Sequence, residues 1–213
     1  MLYDKDIREP LFDFIEDKFG KTRIFEEKRM GNSRADILVI TDDRFVGIEI
    51  KSDADTYVRM AGQTADYDRY CDYNYVVAGS HHGAHVGEHV PSYWGIITVE
   101  EDGGKTDFYI LREADLNPGV SLKNKLSILW RPELAHIQEN NHMYKYKEKS
   151  KAFVIEKILE NVEPELLQKQ ICDELFERDY STIEERIADY RTSNNLKRRN
   201  RKRKSKKYKI MKF

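Results

Sequence analysis

The chain has 213 residues, of which 39% are hydrophobic and 35% are charged, and its formal net charge is −1. This length suits one domain with an appendage, or two small domains. No run of about 18 apolar residues is present, which excludes a transmembrane helix, and the first residues lack the apolar run of a signal peptide. We therefore expect a cytoplasmic protein with no membrane partner.

The first half of the chain alternates between helical and strand-like patterns. Apolar residues recur at helical spacing over residues 4–19, and Gly20 is a natural end for that helix. A second helix is predicted at residues 52–70, where Ser52 and Asp55 resemble a capping box. Short β-rich runs between polar turns predict strands at residues 22–29, 35–40, 45–50, 73–78, 94–99 and 108–111. The order of elements favours an α/β fold.

The pattern changes to helices after about residue 117. Residues 151–178 indicate a helical pair broken near Pro164, and a short helix is predicted at 181–190. We predict three parts, a core at residues 1–116, a helical extension at 117–190 and a disordered basic tail at 191–213.

The tail carries a charge opposite to that of the rest of the chain. Residues 197–213 hold 11 of the 37 Lys and Arg and no acids, which leaves 26 basic against 38 acidic side chains elsewhere, a net charge of −12. Such a tail favours binding to the phosphates of nucleic acid, although a solubilising or partner-binding tail is the alternative. The cations that we expect to contact nucleic acid are Lys197, Arg198, Arg199, Arg201, Lys202, Arg203 and Lys204.

The predicted hairpin at residues 35–50 places charged side chains on one face. If its turn is centred between Asp42 and Asp43, partner residues sum to 85, so Asp36 lies opposite Glu49. Directly opposed Cβ atoms are about 4.5–5.5 Å apart, and alternation along the strand puts Lys51 on the same face. Two carboxylates this close favour a divalent cation, and Mg²⁺ takes one or two carboxylates together with water and phosphate oxygens.

A solvated hairpin with cross-strand salt bridges is the alternative interpretation of this pattern. The flanking residues 37–40 and 45–50 are apolar, which disfavours an isolated surface ribbon.

Asp36 followed by Glu49-Ile50-Lys51, with a helix on either side, resembles the PD-(D/E)XK nuclease superfamily. Longer stretches, residues 34–37, 47–56, 91–96 and 129–134, look like a little-characterised family of small bacterial and phage proteins. The resemblance implies a restriction-endonuclease-like core, with a mixed sheet of four or five strands flanked by helices. It also implies an Mg²⁺- or Mn²⁺-dependent endonuclease or exonuclease. Asp36 and Glu49 would be metal ligands and Lys51 the catalytic lysine.

Further residues acquire roles through the same resemblance. Glu9 matches an acidic position that supports the metal and catalysis, although Pro10 suggests that helix 1 starts later, with Glu9 near its N-terminus. Gln63 and Tyr67 share a helix face, on which Gln63 would assist catalysis and Tyr67 would face the site or the nucleic-acid backbone. Residues expected to contact nucleic acid in the core are Ser52, Arg59 and Tyr67.

Two other groups of side chains could carry chemistry. His81, His82, His85 and His89 have helical metal-ligand spacing, but no cysteine completes a zinc site, so a polar surface loop is favoured over a zinc nuclease. Cys71 and Cys172 are predicted to be buried thiols rather than a disulfide.

The leading hypothesis is thus a metal-dependent nuclease acting on DNA inside a bacterial cell, either bacterial or phage-encoded. The alternative is a catalytically silent module that binds nucleic acid or a protein on the same fold, in a phage or defence context. DNA or RNA as substrate, and a homodimer or larger complex, are left open.

Overall fold

A computed structural model describes residues 2–83 and 85–178 of the chain. Within these residues, six strands form one mixed sheet in the order β1-β2-β3-β4-β5-β6. The strands are β1 (Arg23–Met30), β2 (Ser33–Ile40), β3 (Phe45–Lys51), β4 (Tyr73–Gly79), β5 (Gly95–Asp102) and β6 (Lys105–Arg112).

Helices lie before, between and after the strands. They are α1 (Asp4–Phe19), α2 (Met60–Tyr70), α3 (Ser80–Gly83), α4 (Leu122–Ile128), α5 (Arg131–Asn140), α6 (Lys151–Asn161) and α7 (Pro164–Phe176), with one 3-10 turn at Val86–Glu88. None of the helices in the described part of the chain is long and apolar enough to cross a membrane.

The connections determine which strands run parallel. Tight turns join β1 to β2, β2 to β3 and β5 to β6, and each of these pairs is antiparallel. The crossover through α2 makes β4 parallel to β3, and the connection containing α3 makes β5 parallel to β4. The C-terminal end of β3 therefore lies beside the start of α2, where a crevice can open.

The sheet separates two hydrophobic cores. On one face, Ile7, Leu11 and Ile15 of α1 pack against alternate residues of the strands, such as Ile48 and Ile50. The other face is covered by α2 and by α4 to α7, whose buried residues form one continuous cluster with the strands. This three-layer arrangement confirms the predicted α/β class, a mixed sheet flanked by helices with a helical C-terminal region.

A buried ion pair ties the helical region to the sheet. The Lys125 ammonium of α4 lies 2.6 Å from both carboxylate oxygens of Asp72, and Gln168 of α7 accepts a 2.7 Å hydrogen bond from it. Asp72 also accepts a 2.7 Å bond from the Phe45 backbone N–H at the start of β3. Because an unpaired buried charge is costly, this cluster fixes α4 and α7 against the strand that carries the candidate site.

Several predicted boundaries need correction. The sheet has six strands in the described residues, rather than four or five. Helix α2 begins at Met60 rather than at residue 52. Helix α1 begins at Asp4 and contains Pro10, so a later start is wrong. The predicted helix at 181–190 and the tail at 191–213 lie outside the described residues, and the division at residues 116 and 117 stays a prediction.

Candidate active site

The β2–β3 hairpin brings the proposed catalytic residues to one end of the sheet. Its register confirms the prediction, with pairs from Ile40 and Phe45 to Ile37 and Ile48. The ladder stops there, so the expected backbone pairing of Asp36 with Glu49 is not formed. Instead, the Asp36 carboxylate accepts a 2.9 Å hydrogen bond from the Ile50 backbone N–H, which holds it between the two strands.

Glu49 lies at the centre of a buried hydrogen-bond network. One carboxylate oxygen, Oε1, accepts a 2.7 Å bond from the Lys51 ammonium and a short bond from the Gln63 amide. The other, Oε2, accepts a 2.9 Å bond from the Tyr67 hydroxyl. Lys51 also donates to the Gln63 carbonyl oxygen at 3.0 Å. Glu49 and Lys51 are only 1% and 3% exposed, so their geometry is fixed by the fold.

The electrostatics of Asp36 follow from its surroundings. Burial raises the pKa of Asp36 to about 7, and the negative charge of Glu49 acts in the same direction. The Ile50 N–H and the Arg8 guanidinium, whose nitrogen is 4.0 Å from Asp36 Oδ1, oppose this shift. Two neighbouring carboxylates that resist simultaneous ionisation are stabilised by a nearby cation.

The Tyr67 hydroxyl, on α2, positions both Asp36 and Glu49. It donates to Glu49 and to the Ile48 carbonyl oxygen at 3.1 Å, and accepts a 3.1 Å bond from the Asp36 backbone N–H. The residue is fully buried, so the prediction that it contacts nucleic acid directly is wrong, because α2 turns it towards the sheet. A Cβ on Gly47 would lie 2.5 Å from the Tyr67 ring, so glycine is what permits this approach.

An open cleft of about 620 Å³ gives access to these groups. Its walls come from α1, the β1–β2 turn, the end of β3 and the start of α2, and they are predominantly polar and charged. The lining includes Asp36, Glu49, Lys51 and Gln63, together with Arg34 and Arg59 as cations at its sides. One apolar residue in the wall, Val58, is 89% exposed.

The acidic position on α1 differs from the prediction. Glu9 is exposed and is not among the residues that line the cleft, because Ile7 points into the core and Glu9 lies about 200° further round the helix. Asp4 and Arg8 line the cleft instead. Arg8 donates to Asp4 at 3.0 Å and to the Asp36 carbonyl oxygen at 3.2 Å. In the sequence, the i, i+4 spacing of Asp4 and Arg8 beside the apolar stripe of α1 was the signal that could have identified them as cleft residues.

The remaining predicted contacts divide into two groups. Arg59 lines the cleft, as a nucleic-acid contact requires. Ser52 is buried, and its hydroxyl donates to Asp55 at 2.6 Å, so the expected contact with nucleic acid is wrong because this bond closes a turn. The seven cations of the tail, 197–204, lie outside the described residues.

Two histidines of the predicted cluster, His82 and His89, have an aromatic partner in the structure. His82 bonds the Tyr57 hydroxyl at 2.9 Å through Nδ1, and the His89 ring stacks on Tyr57 with a centroid distance of 3.8 Å. In the described residues, no group of three or more His, Cys, Asp or Glu side chains is arranged to hold a metal ion. The carboxylates that line the cleft include Asp36 and Glu49, together with Asp4, Glu27 and Asp55. Cys71 and Cys172 are buried free thiols, as predicted.

Comparison with known proteins gives a family. The family described as Bacteriophage P4 protein cII matches residues 2–206. The comparison with curated proteins found no match. Among solved structures, the chain is similar to SfsA of Pyrococcus furiosus in complex with Ca²⁺, with 17% identity and a TM-score of 0.34, over 55% of this chain and 65% of that one. The chain thus spans less than two thirds of that structure, and a likeness this low carries no argument about function.

Proposed function

The chain belongs to the Bacteriophage P4 protein cII family, and we propose that it is a metal-dependent nuclease of the PD-(D/E)XK type that hydrolyses phosphodiester bonds in DNA. One observation carries the proposal. Asp36, Glu49 and Lys51, three residues chosen from the sequence, line the same open cleft, and their charged groups are held by hydrogen bonds from the backbone and from α2.

A divalent cation fits the donors in this cleft. Asp36 and Glu49 supply hard oxygen ligands, and the raised pKa of Asp36 reflects a site in which a second negative charge is unfavourable without a cation. Mg²⁺ or Mn²⁺, when bound, would polarise a phosphodiester and lower the pKa of an attacking water.

The protein groups around the carboxylates have separate roles. The Lys51 ammonium would stabilise the charge that develops on the phosphate, since a fixed cation in a water-poor site is effective there. Gln63 bonds both Glu49 and Lys51 and so fixes their relative position. Arg34 and Arg59, at the side of the cleft, would contact phosphates that flank the scissile bond.

The charge distribution supports nucleic acid as the partner. The 196 residues before the basic run have a net charge of −12, which repels a polyanion, and the 11 cations of residues 197–213 offset that repulsion. We propose that the protein acts inside a bacterial cell, as a phage or bacterial protein.

The test is a cleavage panel of duplex, single-stranded and branched DNA together with RNA, in Mg²⁺ or Mn²⁺. We expect wild-type protein to cut at least one DNA substrate, and Glu49→Gln and Asp36→Asn to lose about 100-fold or more of that activity. Lys169→Gln, which removes an exposed lysine of α7 paired with Asp173, is the control and should cut normally. Cleavage by Glu49→Gln at the wild-type rate would assign the activity to another site or to a contaminant.

A catalytically silent binding module is the second candidate, and one observation favours it. Both oxygens of Glu49 already accept hydrogen bonds from Lys51, Gln63 and Tyr67, so the network is satisfied without a metal. Such a module would bind nucleic acid with equal affinity in wild-type protein and in Glu49→Gln, and would cut none of the substrates in the panel.

A further inference from the structure

Four cations from distant parts of the sequence meet beside the sheet edge, and we call them the basic patch. Lys28 lies on the edge strand β1, Arg131 and Lys151 are the first residues of α5 and α6, and Arg178 follows α7. Arg178 bonds the Glu133 carboxylate, and the charge of Glu133 also reaches Lys28 and Lys151. Lys28 directly follows Glu27, which lines the candidate active-site cleft.

Both oxygens of the Glu133 carboxylate already accept hydrogen bonds. Arg178 donates to its Oε1 at 2.7 Å and makes a second, shorter bond to its Oε2. Oε2 also accepts a 2.6 Å bond from the Trp130 backbone N–H, which caps α5. One negative charge is therefore matched by Arg178, and the other three cations have no carboxylate within this cluster.

The remaining cations are poorly satisfied. The Lys28 side chain makes no hydrogen bond or ion pair within the described part of the chain, and its ammonium lies 5.5 Å from the centre of the Phe25 ring. Lys151 donates to the Ser127 carbonyl oxygen at 2.6 Å. Both side chains are half-buried. A half-buried ammonium without an anionic partner costs free energy that a bound anion would recover.

Arg178 supplies a buried donor that has no acceptor. It is 2% exposed and its guanidinium lies 4.2 Å from the centre of the Trp130 ring, yet Nη1 has no hydrogen-bond partner among the described residues. Buried guanidinium nitrogens are usually paired, so this unpaired donor adds to the uncompensated positive charge of the patch.

Mutual repulsion within the patch supports the same conclusion. Burial, followed by the charges of Arg178 and Lys151, lowers the pKa of Lys28 to about 8. Burial and the charges of Arg178 and Arg131 likewise lower the pKa of Lys151, while Glu133 opposes the shift in both lysines. The four cations therefore act on one another as a single group with excess positive charge.

A loop rich in tyrosine and lysine adjoins the patch. Residues 144–149 line a shallow depression of about 540 Å³, and Tyr144 is 76% exposed. Arg131 holds this loop by donating to the Tyr146 carbonyl oxygen at 3.1 Å. An exposed aromatic ring next to lysines, here Tyr144 beside Lys145, is a combination with which proteins stack on bases and contact the backbone of single-stranded nucleic acid.

We propose that the basic patch is a second nucleic-acid contact, which binds backbone phosphates of the strand that extends from the cleft, with the 144–149 loop beside it. The choice of nucleic acid as the ligand rests on the proposed function. The ligand recognised is a phosphate group, which accepts hydrogen bonds from several donors. Its negative charge would pair with Lys28, Lys151 and Arg131, which have no carboxylate partner in this cluster.

Binding by the full chain tests this proposal without cleavage. All proteins carry Glu49→Gln, and affinity for fluorescent duplex and single-stranded DNA is measured in chelator at several salt concentrations. We expect Lys28→Gln with Lys151→Gln to reduce the slope of log affinity against log salt by about 2 for duplex DNA. The matched control, Lys157→Gln with Lys169→Gln, removes the same charge from lysines paired with Glu160 and Asp173 and should leave the slope unchanged. Equal slopes for the two pairs would overturn the proposal.

Thermal stability in inorganic phosphate gives a second test, which does not require nucleic acid. At constant ionic strength, phosphate in place of chloride should raise the Tm of wild-type protein more than that of the Lys28, Lys151 double variant. An identical increase in both would overturn the phosphate site. If the patch variants lose salt dependence while wild-type protein cuts no substrate, the patch stands and the nuclease proposal fails.

Discussion

The candidate active-site cleft and the basic patch handle buried charge in opposite ways. In the cleft, Glu49 is fully hydrogen-bonded, and burial together with the charge of Glu49 raises the pKa of Asp36 although Arg8 lies beside it. In the patch, the lysines outnumber the acids among the described residues, and Arg178 retains a donor with no partner there. The first arrangement favours a divalent cation and the second favours an anion. A nucleic acid with a bound metal ion would satisfy both, which suggests that the two regions serve one substrate.

The largest effect is expected for Lys51→Met, which keeps the length of the side chain and removes its charge. Cleavage should fall by about 100-fold or more, because the ammonium is the cation nearest to Glu49 in the cleft. Rates under single-turnover conditions measure this. Binding of DNA in chelator should change little, and an equal loss of binding would place Lys51 in substrate contact rather than in the chemical step.

Gly47→Ala should damage the cleft through packing alone. The added methyl group would lie 2.5 Å from the Tyr67 ring, 2.7 Å from Asn74 Oδ1 and 2.9 Å from Cys71 Sγ. Overpacking of this kind costs about 1–3 kcal/mol, which urea denaturation would detect. Gly62→Ala on α2, where the added methyl group would have nothing within 4 Å, is the matched control and should not destabilise. Wild-type stability in Gly47→Ala would contradict the close approach of Tyr67.

Tyr67→Phe removes the hydroxyl and retains the ring. It leaves the Asp36 backbone N–H and one Glu49 oxygen without this partner, at a cost of about 1–2 kcal/mol in the free energy of unfolding. We expect kcat to fall while KM stays constant, because the buried ring does not touch substrate. A change in KM alone would show that Tyr67 contributes to substrate binding.

Lys28→Gln tests the patch by its effect on stability. Near pH 7 the variant should be more stable than wild type by about 1 kcal/mol, after allowance for solvent screening of a half-exposed group. Arg178, Lys151 and Glu133 face this ammonium, and its pKa in the folded protein is lowered to about 8 from an ordinary value of 10.5. Between these values the unfolded chain binds more protons, so wild-type stability rises with pH and the advantage of the variant shrinks. Urea denaturation from pH 7 to 10 measures the difference, and a constant difference across this range would contradict the assignment.

The sequence predicted the parts of the molecule in which local pattern decides structure. The hairpin register followed from a turn closed by Thr41 and Arg44, whose backbone groups bond at 3.0 Å. Helix α2 begins later than predicted because Asp55 accepts hydrogen bonds from Ser52 and closes a separate turn. The pattern that resembled a capping box therefore belongs to a loop.

Features that depend on distant residues were not readable from the sequence. Asp4 and Arg8 line the cleft in place of the predicted Glu9, and this depends on the rotation of α1 about its axis relative to the sheet. The basic patch joins Lys28 to Arg178, which are 150 positions apart, so no sequence window contains it.

Calorimetric titration of metal-free protein with Mn²⁺ tests the central claim most directly. The proposed site predicts saturable binding of one ion per chain in wild-type protein, and loss of that binding in Asp36→Asn and in Glu49→Gln, because these two carboxylates are the proposed protein ligands in the cleft. Absence of saturable binding at millimolar Mn²⁺, or binding that persists unchanged in both variants, would contradict a metal-dependent active site at Asp36 and Glu49.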